Sequence, residues 1–256
     1  MDAPSPQNTL VVIHSRLASS RLPNKPLADI GGEPMIVQVH KRATEAALGR
    51  VVVAAGDQEI DDADENGGGE AILTAPNHPS GSDRIMEAVN SVDPDRQFQF
   101  IINVQGDLPT IDPQAIRSCL RPFSEPQVDI STLVVRIDDE ADRGDPNVPK
   151  AVVSFDGDAP IGSVSRALYF SRATIPDGPG DHFFHIGLYG YRRAALERFV
   201  ALPMGVLEQR EKLEQLRALE AGMRIDAVLI DDIPLGVDVP RHLELARDII
   251  AGRLAK

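Results

Sequence analysis

The chain has 256 residues, 42% of them apolar, with 20 glycines and 20 prolines, which fits a folded domain with many turns and excludes a disordered or fibrous chain. A formal net charge of −13 argues against general nucleic-acid binding, because a phosphate backbone selects basic surfaces. The single cysteine, Cys119, excludes an internal disulfide framework and a cysteine metal cage, and no apolar run reaches the ~18 residues of a membrane span.

Residues 1–9 lack the basic-then-apolar order of a secretory signal, so a cytoplasmic location is expected. Leu10–His14 is a short apolar run, read as the first strand of a buried sheet. Between Leu10 and Arg50, six Lys/Arg stand against three Asp/Glu, a local balance of +3 that suggests a small anionic ligand. Met35, Val39, Ala43 and Ala46 recur at helical spacing behind Pro34, and Arg50–Ala55 reads as a second strand. Asp57–Asn66 makes a poor, acidic helix ended by Gly67-Gly68-Gly69. A third strand is expected over Ala71–Leu73, a helix over Arg84–Val92 with Ile85, Met86 and Val89 on one face, and a fourth strand over Phe98–Val104.

The second half is less regular. Strands are expected over Asp129–Ile137, Lys150–Phe155, Phe183–Tyr191 and Ile225–Ile230, and helices over Val206–Ala221 and Pro240–Leu254. Strand–helix alternation implies an α/β fold with a mostly parallel, Rossmann-like sheet, whose ligands lie at the carboxyl ends of the strands. One domain with an inserted smaller subdomain is expected: a core over 10–130, an insertion over about 131–205, and a return to the core over 206–256.

Three segments carry candidate chemistry. The loop after the first strand holds Arg16, Arg21 and Lys25 among hydroxyls, a set of cations suited to a triphosphate. It is no glycine-rich phosphate loop, and a solvated basic loop is the plainer alternative. Asp107, in Gln105-Gly106-Asp107 beyond the fourth strand, is placed for a hard cation or for a simple turn. Asp238, in Gly236-Val-Asp238-Val-Pro240, reads first as a helix cap.

These segments resemble the 3-deoxy-manno-octulosonate (KDO) cytidylyltransferases. The resemblance lies in R-L-A-S-S-R-L-P-N-K-P-L from Arg16, Q-G-D at 105–107, H-P-S-G-S-D-R at 78–84 and G-V-D-V-P at 236–240. A-L-Y-F-S-R-A-T-I-P at 167–176, H-I-G-L-Y-G-Y at 185–191 and L-E-Q-L-R at 213–217 extend it over nearly the whole chain. It implies a nucleotide-diphospho-sugar transferase fold, CTP and KDO as substrates, Mg²⁺ as cofactor, homodimers paired through the insertion, and a role in lipopolysaccharide synthesis. By the same resemblance Arg16, Arg21, Lys25, Ser80, Arg84 and Gln105 bind the nucleotide, and Asp107 and Asp238 hold the metal. Arg16, Lys25, Asp107 and Asp238 would be catalytic. Arg172, His185, Tyr189, Glu214 and Gln215 would form the sugar site.

Departures stand at His14-Ser15, where the family usually has Pro-Ala, at Leu108, commonly Glu, and at Ala55-Gly56-Asp57, often Thr-Asp after the strand. Two other readings stay open: a related ulosonic acid, amino-KDO or sialic acid, as acceptor, and a nucleotide-binding homologue with weakened catalysis.

Overall fold

The computed structural model describes residues 3–19 and 21–254; Ser20 of the basic loop lies outside them. The chain forms two compact units, one of Pro4–Arg117 together with the chain from Pro234 onward, the other of Ser118–Ile233.

The first unit begins with β1 (Thr9–Ser15), a two-residue hairpin of β2 (Asp29–Ile30) and β3 (Glu33–Pro34), and α1 (Met35–Glu45). It continues through β4 (Arg50–Ala55), α2 (Gln58–Asn66), β5 (Ala71–Leu73), α3 (Gly81–Val92), β6 (Phe100–Gln105) and α4 (Pro113–Ser118). Its strands lie in the order β5-β4-β1-β6, all parallel. β1 is central, and its Leu10, Val11, Val12 and Ile13 have no exposure, as a strand covered on both faces requires. The register pairs His14 with Gln105, so β1 and β6 deliver their following loops side by side.

The weak acidic segment does form a helix. Ile60 and Asp64 of α2 are buried, and Asp64 Oδ2 lies 2.8 Å from His40 Nδ1 on α1. Sequence periodicity missed this because one buried position is a carboxylate, whose Oδ2 is paired with a histidine on another helix.

The second unit holds β7 (Ile130–Arg136), α5 (Glu140–Gly144), β8 (Lys150–Val153), β9 (Val164–Ser171) and β10 (Phe183–Arg192). α6 (Arg193–Ala201), α7 (Val206–Glu211), α8 (Leu216–Glu220) and β11 (Ile225–Leu229) follow. The strand order is β10-β7-β11-β9-β8, and β8 pairs back onto β10, closing the five strands into a ring. Within it only β7 and β11 pair in parallel, so the mostly parallel reading applies to the first unit alone. The unit runs to Ile233, past the expected return at 206, because β11 is hydrogen-bonded by β7 on one side and β9 on the other. The single helix expected over 206–221 breaks at Lys212, a left-handed residue with φ 57°.

The closing helix α9 (Pro240–Ile250) rejoins the first unit and starts at a proline, whose missing N–H is no loss there. Its Leu243 and Ala246 pack with Ile30, Met35 and Val237. That cluster fixes the strand-to-helix connection that carries Asp238. Among the described residues no helix is long and apolar enough to cross a membrane.

Candidate active site

In the first unit the loops after β1 and β6 and the segment before α9 converge. The Val237 N–H donates to the Asp107 carbonyl at 2.9 Å, and the buried Val237 side chain anchors that contact. The carboxylates of Asp107 and Asp238 are thereby held together. Lys25, at the start of a single 3-10 turn whose Pro26 is buried, places its Nζ between them. The ammonium donates to Asp107 Oδ2 at 2.7 Å, Asp238 Oδ1 at 3.1 Å and the Val237 carbonyl at 3.1 Å. Burial pulls the Lys25 pKa down, but the facing carboxylates outweigh it and the net shift is upward, so the charge is secure at neutral pH.

These residues line a cavity of about 350 Å³ together with His14, Arg16, Arg21 and Gln105. Arg16 is exposed and, among the described residues, its guanidinium has no protein hydrogen bond or ion pair. Arg21 Nη2 lies 3.1 Å from Asp238 Oδ1. Gln105 ends β6 on the cavity wall. Of the sequence-predicted nucleotide and metal residues, Arg16, Arg21, Lys25, Gln105, Asp107 and Asp238 thus share one site.

A second, smaller pocket of about 110 Å³ shares His14, Ser15 and Arg16 with the first and also touches Ser80 and Arg84. Both of these predicted residues have structural work. The Ser80 hydroxyl accepts from the Asp83 N–H and caps α3. Arg84 is 3% exposed, and its guanidinium donates to Thr74 Oγ1 and to the Ala75 and Pro76 carbonyls, fixing the turn after β5.

Arg84 also accounts for Gly56, because a Cβ there would lie 2.8 Å from its Nη1. The neighbouring Asp57 accepts from the Leu17 N–H at 2.7 Å and ties down the start of the basic loop. The unusual Ala-Gly-Asp therefore supports the basic loop, a role with no signal in the sequence. Leu108 is 7% exposed and packs inside.

The donors around Lys25 are all oxygen, which suits a hard divalent cation such as Mg²⁺ with phosphates and water completing its shell. Among the described residues no third His, Cys, Asp or Glu joins the two carboxylates.

In the second unit the predicted sugar residues also gather. His185 is 5% exposed, its Nε2 lies 3.0 Å from Thr132 Oγ1, and its Nδ1 accepts from Gln215 Nε2 at 3.3 Å. Burial lowers its pKa to about 3, so the ring is neutral. Both nitrogens are taken, and His185 positions Gln215 and packs against Phe170 and Tyr189, whose ring centroids lie 4.7 and 5.6 Å away. The Tyr189 hydroxyl makes no hydrogen bond within the described protein, and burial, with the Tyr191 and Glu214 charges, raises its pKa.

Arg172 donates to the carbonyls of Glu211, Pro146 and Lys212, which leaves two of a guanidinium's five N–H groups. Glu214 lies 4.0 Å from Arg217, and Glu214 and Gln215 sit on the turn created by the break at Lys212. Two supporting carboxylates went unread in the sequence. Glu211 accepts from Ser171 Oγ and the Arg172 N–H, each at 3.0 Å, and Glu208 forms a bidentate pair with Arg217 at 2.7 and 2.8 Å.

Parallel strands ending at paired carboxylates and cations define an α/β protein whose cation-lined cavity suits an anionic ligand. The cytidylyltransferase sequence profile matches residues 10–225. The 3-deoxy-manno-octulosonate cytidylyltransferase of Parvibaculum lavamentivorans is 60% identical over 244 residues, 95% of this chain and 93% of that protein. The enzyme of the same name from Paramagnetospirillum magneticum is 58% identical over 241 residues, 94% of this chain and 97% of that protein. Among solved structures, a CMP:2-keto-3-deoxy-manno-octonic acid synthetase complexed with CTP superposes with a TM-score of 0.86 at 37% identity, covering 96% of this chain and 99% of that one. A cytidylyltransferase from Leptospira borgpetersenii, 14% identical with a TM-score of 0.61, shares the fold. The chain belongs to the 3-deoxy-manno-octulosonate cytidylyltransferase family.

Proposed function

We propose that this chain transfers CMP from CTP to the anomeric hydroxyl of KDO in the cytoplasm, releasing pyrophosphate. The observation that carries the reading is the convergence of Lys25, Asp107 and Asp238 on one point beside the open guanidinium of Arg16. The hydroxyl oxygen of KDO forms a bond to the α-phosphorus, the bond to the β-phosphate oxygen breaks, and the hydroxyl proton passes to water. Reactions of this kind depend on positioning and charge neutralisation.

Arg16 and Lys25 neutralise the departing pyrophosphate, and Arg21 and Gln105 hold the nucleotide. Asp107 and Asp238 would hold Mg²⁺, which when bound draws charge from the α-phosphate oxygens. Ser80 and Arg84 shape the nucleotide pocket through the turn and helix they fix. In the second unit Arg172, with two N–H groups to offer, takes the KDO carboxylate. Tyr189, Glu214 and Gln215 take its hydroxyls while His185 aligns them.

A homodimer paired through the second unit belongs to this reading. Ile161, just before β9, and Val164 and Leu168 on it are 56%, 41% and 58% exposed, apolar surface that a second copy would cover. Pyrophosphate release from CTP and Mg²⁺ tests the reaction. Release that requires KDO, and exceeds that with sialic acid or amino-KDO, is expected. No release with KDO, by a protein that binds CTP, would overturn the reaction and favour a regulatory nucleotide-binding role.

A further inference from the structure

His14 stands at the wall shared by the two pockets of the first unit, and the sequence pattern of the family gives it no role. Its ring is held in one orientation. Nδ1 lies 3.0 Å from Oδ1 of Asn103, a residue of β6 that is 3% exposed. An amide oxygen only accepts, so Nδ1 carries the proton and Nε2 carries the lone pair. Burial lowers the ring's pKa, with the Arg84 and Arg16 charges adding to it against the Asn103 hydrogen bond and the Asp107 charge, which keeps the ring neutral.

Nε2 makes no hydrogen bond within the described protein. It rests against Gly81, the first residue of α3, where a Cβ would lie 2.7 Å away. Only glycine leaves room for this ring. An imidazole acceptor is thus built into the junction between a cation-lined cavity and a neighbouring pocket of about 110 Å³.

We propose that His14 reads the nucleotide base, accepting a hydrogen bond at Nε2 from the exocyclic amine of cytosine and rejecting uracil. Phosphates held by Arg16 and Lys25 direct the base into the smaller pocket, which shares Arg16 with the larger one. A 4-amino group donates to the lone pair, whereas the 4-carbonyl of uracil sets one acceptor against another. Loss of one such contact in a dry pocket changes affinity by about tenfold to a hundredfold. The inference rests on the nucleotide reading proposed above.

Titration calorimetry of CTP and of UTP with the full chain tests it, using the wild type, His14→Leu, His14→Gln and Asn103→Leu, each checked by circular dichroism. The wild type should prefer CTP by tenfold or more. His14→Leu should lose most of its CTP affinity and keep that for UTP, so the preference collapses. His14→Gln, which offers an amide oxygen, should keep part of it, and Asn103→Leu, which frees the tautomer, should erode it. An equal fall for both nucleotides, or an unchanged ratio, would overturn the role of His14 and leave the proposed reaction standing. A wild type that binds neither nucleotide would overturn the reaction reading itself.

Discussion

Lys25 and Asp107 form a 2.7 Å ion pair at the point where the carboxylates of the site converge. The same ammonium reaches Asp238 at 3.1 Å, so the lysine bridges the two aspartates. On the proposed reading, Asp107 and Asp238 would hold a divalent cation, and the ammonium would then turn from the carboxylates to the phosphate oxygens.

Lys25→Met should therefore separate two affinities. Mn²⁺ binding without nucleotide, followed by electron paramagnetic resonance, should tighten several-fold because no ammonium competes for the carboxylates. CTP binding should weaken by about tenfold or more, through loss of a charge-assisted contact. Weaker Mn²⁺ binding would show that Lys25 supports the carboxylates rather than competing at them.

Asp107→Asn keeps the size of the side chain and its buried neighbours. Turnover should fall by at least about a hundredfold while the melting temperature stays within a few degrees. Near-normal turnover would remove Asp107 from the reaction.

The Glu208–Arg217 pair braces the turn that presents Glu214 and Gln215, and its side chains are only 8% and 11% exposed. Burial raises the pKa of the Glu208 carboxyl, but Arg217 and the Gly205 N–H outweigh it and hold it below the usual range. Glu208→Gln leaves a buried guanidinium poorly paired and should cost about 3 kcal/mol. Calorimetry should show a melting temperature lower by about 2–4 °C per kcal/mol, and the KM for KDO should rise more than that for CTP.

Neutral, buried His185 predicts an acid-sensitive second unit. The unfolded chain binds a proton there below the ordinary value of 6.5, and the folded chain does so only near about 3. Stability from this group is complete above pH 6.5 and declines as pH falls toward 3, by up to about 1.4 kcal/mol per pH unit. Urea unfolding of His185→Gln between pH 7 and 5 should show a flatter dependence than the wild type. Identical slopes would assign the acid sensitivity to other groups.

The legible parts of the fold were those whose cause is local. The apolar run of β1, the helical spacing of α1 and α3, and the basic loop with its two aspartates all declare themselves along the chain. β9 was missed as a strand because Arg166 and Ser165 interrupt its apolar alternation, and its pairing with β8 and β11 supplies the stability instead. The break at Lys212 was hidden because residues 206–220 favour helix throughout; the Glu208–Arg217 pair folds the chain back there. In the site, the cations of the basic loop pointed to an anionic ligand, while the metal reading of Asp107 and Asp238 rested on the family resemblance. Ser80 caps its own helix, a local signal, whereas the side-chain partners that make Arg84 and His185 positioning groups lie ten to more than fifty residues away, and spacing carries no trace of them.

The central claim is that CMP passes from CTP to KDO. Phosphorus NMR of the protein with CTP, Mg²⁺ and KDO observes that transfer directly. One new phosphodiester resonance, growing in equal amount with pyrophosphate and absent without KDO, is the predicted result. Pyrophosphate formed without a KDO-dependent phosphodiester, or a spectrum in which CTP persists unchanged, would contradict it.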